Sequence, residues 1–116
     1  MSGNMLTEAE IKLTIEELDE SSKDWVEGHY DAIVNLFRAQ IKGLKFAIGE
    51  DYAIRTGTST KVSGIKTEAD IRARISELEK DAAEWVDSES TTRLIRSQIK
   101  GLKLALNEPY SIAEGK

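Results

Sequence analysis

The sequence contains no cysteine, which excludes disulfide staples and thiol chemistry and leaves the redox compartment open. It also has no run approaching the roughly 18 apolar residues that a membrane-spanning helix needs. Its opening residues, MSGNMLTEAE, lack the basic and apolar regions of a secretory leader, so a cytoplasmic protein without membrane contact is expected. Base is in short supply, with 16 Lys and Arg against 21 Asp and Glu and a formal charge of −5. Phosphate neutralisation demands a basic surface, so this balance argues against a dedicated nucleic-acid binder. Catalytic signatures are missing as well: there is no Gly-x-Ser-x-Gly, no His-Glu-x-x-His and no cysteine pair. Gly57-Thr58-Ser59-Thr60-Lys61 lacks the spacing of a phosphate loop. The single histidine, His29, has no ligand set near it in sequence. Adjacent carboxylates such as Glu16-Glu17 and Asp19-Glu20 fall on solvent-facing helical positions with no pocket to raise a pKa. No catalytic, metal or cofactor residue is assigned, and a non-enzymatic protein is expected.

What the chain does contain is one segment written twice. Residues 7–26 align with 67–86 at an offset of 60, and residues 36–52 align with 94–110 at an offset of 58. The change of offset places a two-residue deletion near Gly28 to Asn35 in one copy and Ser88 to Arg93 in the other, which makes that spot a turn. A supersecondary unit of this size does not bury its apolar face alone. In 116 residues there is room for one modest core, so the copies are expected to share it. A composition of 40% apolar and 32% charged residues suits a soluble, helix-rich domain.

Each copy begins with a helix start signal, Thr7 three residues before Glu10 and Thr67 three before Asp70. Behind these caps, Ile11, Ile15, Leu18, Ser22 and Trp25 recur at helical spacing, as do Ile71, Ile75, Leu78, Ala82 and Trp85. These first helices are expected to run to about Glu27 and about Asp87. Val34, Phe37, Ile41, Leu44 and Ile48 then form the seam of a second helix, matched by Thr92, Ile95, Ile99, Leu102 and Leu106. Gly49 and Asn107, which tolerate a left-handed backbone, mark where the second helices stop, and Pro109 forbids continuation. Each copy is thus an antiparallel αα-hairpin. The expected architecture is all-α or nearly so: a flexible segment 1–6, a first hairpin 7–49, a connector 50–66, a second hairpin 67–107 and a tail 108–116. The β-branched connector reads as a short β-hairpin turning near Gly57 to Ser59 or as a plain linker. Tyr110-Ser111-Ile112 repeats Tyr52-Ala53-Ile54, so the tail carries a strand fragment open to strand addition or is a frayed end.

Three features stand out as candidate interaction elements. The first helices are acidic, whereas the second carry Arg38, Lys42 and Lys45, then Arg96, Lys100 and Lys103, each set on one helix face. Such stripes bind an acidic partner or phosphate backbone, or else pair with the acidic helices beside them. Trp25-Val26 and Trp85-Val86 close one end of the core or serve as anchors at an interface. Gly43 and Gly101 interrupt both second helices at a cost of about 1 kcal/mol each relative to alanine, which close helix approach explains. The expected core is Ile11, Ile15, Leu18, Trp25, Phe37, Ile41 and Leu44 with Ile71, Ile75, Leu78, Trp85, Ile95, Ile99 and Leu102.

From Leu44 to Ala83 the order is helix end, glycine, Tyr-Ala-Ile-Arg-Thr-Gly-Thr-Ser-Thr-Lys-Val-Ser-Gly-Ile, then Thr-Glu-Ala-Asp-Ile-Arg-Ala-Arg-Ile-Ser-Glu-Leu-Glu. This third of the chain resembles the small head-completion and head–tail joining proteins of tailed bacteriophages, the lambda W type. In that family a helix, a short β-hairpin and a second helix follow each other at similar spacing. The chain departs from the family in length, acidic balance and an extra helix on each side. The resemblance implies a virion neck component that oligomerises in a ring. Taken together, the expectation is a structural or adaptor protein that packs helices or strands against protein partners or further copies of itself. The alternative is a small regulator that binds nucleic acid, or inhibits a protein, through its basic faces.

Overall fold

The computed structural model describes residues 5–116, and those residues form four helices and one two-stranded antiparallel hairpin. The elements are α1 (Glu8–Glu27), α2 (Asp31–Ala47), β1 (Glu50–Ala53), β2 (Thr58–Lys61), α3 (Glu68–Glu84) and α4 (Glu89–Ala105). Both capping boxes close. Glu10 N donates to the Thr7 hydroxyl at 3.2 Å while Thr7 N donates to Glu10 Oε1 at 2.9 Å. Asp70, one methylene shorter, makes the same reciprocal pair with Thr67 at 3.1 and 3.2 Å. Each pair satisfies two of the amide groups that a helix start leaves without partners. Gly49 and Asn107, beyond the ends of α2 and α4, take positive φ values of 80° and 59°.

The first and third helices differ in length, 20 residues against 17, because their turns close differently. In the first copy the turn follows Gly28 and uses His29 at φ 61°. In the second, Trp85 is already the cap, and its carbonyl accepts from Ser88 N at 2.9 Å and from the Thr92 hydroxyl at 2.6 Å. α3 therefore ends three residues short of the expected Asp87, and the absent two residues are absorbed in this tighter turn.

The centre of the molecule is the contact of α2 with α4. Leu6 N donates to Ala105 O and Lys66 N to Ala47 O, both at 2.9 Å, so the lead-in of each hairpin is tied to the end of the other hairpin's second helix. With the helix starts Ala32, Leu36, Glu89 and Leu94 lining one shared cleft, α2 and α4 run in the same sense. They cross at the two glycines. A Cβ on Gly101 would stand 3.1 Å from Gly43 Cα and run into the Gln40 carbonyl oxygen. A Cβ on Gly43 would stand 2.8 Å from Leu102 N and run into the Gln98 carbonyl oxygen. Gln40 and Gln98 are themselves equivalent positions, so the two copies meet about a pseudo-twofold axis through this crossing. Ala39, Gly43 and Ala47, and Ser97, Gly101 and Ala105, extend it as stripes of small buried residues at spacing four.

One apolar cluster joins the copies. It contains Ile11, Ile15, Ile41, Leu44 and Ile48 from the first and Ile71, Ile75, Leu78, Ile99 and Leu102 from the second, with Tyr52 from the hairpin. Ile41 and Ile99 are each 1% exposed. Leu18 and Ile95 pack against the cluster only partly buried, and Phe37 is likewise half-buried. The tryptophans do not belong to the core: Trp25 is 37% and Trp85 53% exposed. They lie at the last turn of α1 and just past α3, where Trp25 is partly covered by the Tyr30 ring at the start of α2 and Trp85 is about half in water.

Two further expectations are corrected. The flexible segment 1–6 lies for residues 1–4 outside the described residues, whereas Met5 and Leu6 pack against the core. Residues 108–116 form no strand; they rebuild the turn of the connector instead. Gly57 N donates to Ala53 O and Gly115 N to Ser111 O, both at 2.8 Å, with the glycines at φ 71° and 73°. Ser111 N donates to Lys116 O at 3.2 Å, the place of the first rung between Ala53 and Thr58, but the next hydrogen-bonded position in the tail is Pro109. In the connector, Val62 N donates to Gly49 O at 2.9 Å, and hydrogen-bonded pairs alternate along an antiparallel ladder, so Asp51 is a residue whose N–H faces β2. Pro109 occupies the equivalent place and has no N–H to offer.

Gly101→Ala tests the crossing. Helix propensity alone favours alanine by about 1 kcal/mol, but the added methyl meets backbone that cannot rotate away, and overpacking of this kind costs about 1–3 kcal/mol. Urea denaturation should show a net loss of stability for Gly101→Ala and for Gly43→Ala. A gain at either position would mean the helices do not meet at their backbones.

Candidate interaction surfaces

Apart from Lys100, the basic stripes are spent inside the molecule. Arg38 Nη1 donates to the carbonyls of Ile54 and Arg55 at 3.2 and 3.5 Å, and its guanidinium lies against Gly57, where a Cβ would approach it to 3.2 Å. Arg96 Nη1 repeats this with Ile112 and Ala113 at 3.3 and 3.4 Å, against Gly115. Lys42 Nζ donates to Tyr52 O at 2.5 Å, and Lys45 pairs with Glu50 at 2.9 Å and reaches the Ser59 hydroxyl at 3.2 Å. Lys103 pairs with Glu108 at 3.3 Å, and Arg72 of α3 holds the other side of the same carboxylate. Lys100 has no ion-pair or hydrogen-bond partner among the described residues. The stripes thus clamp the segment that follows each helix by charge-assisted bonds to its backbone. They do not pair with the acidic helices: among the described residues no ion pair joins α1 to α2 or α3 to α4.

The opposite end of the molecule, where α1 turns into α2 and α3 into α4, carries most of the large exposed apolar side chains, the others being Leu13 on α1 and Val62 and Ile65 after β2. Trp25, Val26 and Tyr30 stand there in the first copy, with the Trp25 and Tyr30 rings edge to face at 5.4 Å. Trp85 and Val86 stand there in the second, Val86 being 69% exposed. In sequence these are Asp24-Trp25-Val26-Glu27 and Glu84-Trp85-Val86-Asp87, an acid-Trp-Val-acid tetrad in both copies. Between them the starts of α2 and α4 diverge from the glycine crossing around a cleft of about 560 Å³ floored by Ala32, Leu36 and Leu94. The tetrad was visible in the sequence as a repeated Trp-Val, but its exposure was not, because helical spacing places Trp25 and Trp85 on the apolar face.

A second depression of about 550 Å³ lies between the connector, α2 and α3, lined by Phe46, Tyr52, Val62 and Leu78 with Lys42, Asp70, Arg74 and Glu77 at its edge. Lys66 Nζ sits 5.3 Å over the Phe46 ring there. Among the described residues no group of three or more His, Cys, Asp and Glu could hold a metal ion, and no helix is long and apolar enough to cross a membrane. No family model, curated protein or solved structure matches the chain.

Hydrogen bonding from Lys45 holds the Glu50 carboxyl below the usual carboxylate range, and hydrogen bonding from Arg72 does the same for Glu108. The backbone amide of Thr67 lowers Asp70 likewise. Such depressed acids contribute fully above their unfolded value, about 4.3 for glutamate, and the contribution is lost as pH falls through the lower folded value. Stability is therefore expected to decline with acidification below that value, and Glu108→Gln, which removes one titration, should lose less between about pH 6 and pH 3 than the unaltered protein. Denaturation midpoints that fall in parallel for the two proteins would remove Glu108 from the clamp.

Exposure also sets the cost of truncating the aromatics. Trp85→Ala should reduce stability by no more than about 1 kcal/mol, close to the range of surface changes, while Ile99→Ala should cost about 2–5 kcal/mol. Calorimetry showing Trp85→Ala as costly as Ile99→Ala would return the ring to the core.

Proposed function

We propose that the chain is a non-catalytic structural or adaptor protein that works by packing against other chains, with the turn end as its contact surface. The observation that carries this reading is the pair of tryptophan-valine steps left exposed at one end of an otherwise well-filled core. Large apolar side chains gain from leaving water, and a patch of them on a folded surface marks a place where another molecule completes the burial. Tryptophan is also over-represented among the residues that dominate binding energy at interfaces. The clamps at the other end favour the same assignment, since all their cations but Lys100 are engaged with the protein's own carbonyls and carboxylates. A place in the neck of a tailed-phage particle is the narrower form of the proposal and rests on the resemblance of residues 44–83 alone.

The reading is tested by site-specific photo-cross-linking in cells that make the protein. A benzophenone side chain at Val86 is expected to give a discrete cross-linked protein species, and the same probe at Ser76, on the exposed side of α3, to give none. Absence of a species at Val86 would leave the turn end without a role in assembly.

A further inference from the structure

We infer that each acid-Trp-Val-acid tetrad is a separate docking site for an apolar segment of a partner protein flanked by lysine or arginine, so that one chain holds two such segments. This rests on the packing role proposed above and specifies the partner's chemistry and number. The apolar half of the inference is the exposed Trp25-Val26 and Trp85-Val86 themselves, repeated at equivalent places in the two copies. The core positions repeat because both copies fill one interior. The Trp-Val steps do not belong to that interior: Val26, Trp85 and Val86 are about half or more exposed, and Trp25, covered in part by Tyr30, keeps 37% of its surface in water.

Charge complementarity selects the occupant. Asp24, Glu27, Glu84 and Asp87 are all exposed, and no ion pair among the described residues engages any of them. Of the nearby bases, Lys23 is taken by Glu20 at 3.0 Å and Arg93 by Glu89 at 3.1 Å, and Lys80, one turn before Glu84, makes no ion pair with it. Neither α1 nor α3 has a base in its last turn, where the helix dipole favours cations and disfavours carboxylates. A segment with cations on either side of an apolar face relieves this local repulsion and covers the rings in one step. A second copy of the chain presenting the same face would set carboxylate against carboxylate, and a nucleic-acid backbone would meet the same repulsion. The pseudo-twofold at Gly43 and Gly101 presents both sites at one end of the molecule, the first with Trp25 in α1 against Tyr30 and the second with Trp85 as the cap of α3.

The two tryptophans are the only ones in the sequence, so intrinsic fluorescence reports on these two sites alone. The probe is a short synthetic peptide of leucine and lysine with blocked ends, compared with its leucine and glutamate counterpart. The lysine peptide is expected to shift the emission to the blue, to saturate at two per chain by calorimetry and to weaken as salt rises, while the glutamate peptide does none of these. Trp25→Ser should leave one site, read through Trp85. Glu84→Lys combined with Asp87→Lys should weaken the Trp85 site at least about tenfold, with the Trp25 site unchanged and serving as the check that the variant is folded. One peptide per chain, equal binding of the glutamate peptide, or loss of both sites on altering one overturns the inference. A blue shift that grows with protein concentration alone, with dimers by sedimentation, also overturns it but leaves the packing role standing. A missing cross-link at Val86 removes the packing role itself.

Discussion

The contact of two helix backbones at Gly43 and Gly101 is the constraint on which the rest of the structure depends. A side chain on either residue would have to occupy the place of a peptide group in the other helix, so α2 and α4 could not approach as they do. That approach brings Ile41, Leu44, Ile99 and Leu102 into a single interior, and it sets the distance at which α1 and α3 must lie to complete it. It also brings the lead-in of each hairpin within hydrogen-bond reach of the other copy, as the reciprocal bonds of Leu6 with Ala105 and Lys66 with Ala47 show. Two glycines in helix interiors weaken local propensity, and the shared core offsets that loss.

Much of this was legible in the sequence because duplication displays its own alignment. The repeated seam and the caps at Thr7 and Thr67 identify four helices, and the paired glycines point to a close approach. Less visible was the neighbour each face would meet. Periodicity states which residues share a side of a helix, not how far along that side the next helix reaches, so Trp25 and Trp85 read as core although the packing stops short of them. The small residues Ala39, Ala47, Ser97 and Ala105 escaped notice for a related reason: spaced four from the glycines, they carry the signal of a close-packed stripe, but alanine and serine are unremarkable in any helix. The basic residues share helix faces as their spacing indicates, yet Arg38, Lys42 and Arg96 find their partners in backbone carbonyls, which a sequence pattern does not show.

Those carbonyl bonds explain how a connector with few buried residues is held in place. β2 is exposed along its length, and two short strands alone are marginal in water. Arg38 and Lys42 supply what the sheet lacks by donating from a rigid helix to the backbone of Ile54 and Tyr52, and Lys61 returns the contact through Ile48 O at 2.6 Å. A guanidinium can lie so close to the turn because glycine at position 57 presents no side chain. The same arrangement of Arg96 over Gly115 is kept in the second copy, where there is no second strand among the described residues. The clamp is therefore a property of the helix and the turn, independent of the ladder.

The two ends of the molecule consequently differ in symmetry. Around the glycine crossing equivalent residues do equivalent things, and at the turn end the acid-Trp-Val-acid tetrad is repeated although Trp25 lies within α1 against Tyr30 and Trp85 caps α3. At the clamped end the copies diverge: Asp51 offers an amide to β2, whereas Pro109 offers none, and a hairpin stands on one side with a bare turn on the other. Proline at that place also blunts an edge that would otherwise invite strand addition. A partner that reads the clamped end meets two unlike surfaces and has one way to bind. A partner that reads the turn end meets the same apolar pair between acids in each copy, set in two different turns. What the duplication has kept at the turn end is the chemistry of the tetrad, while the backbone around it takes two different courses.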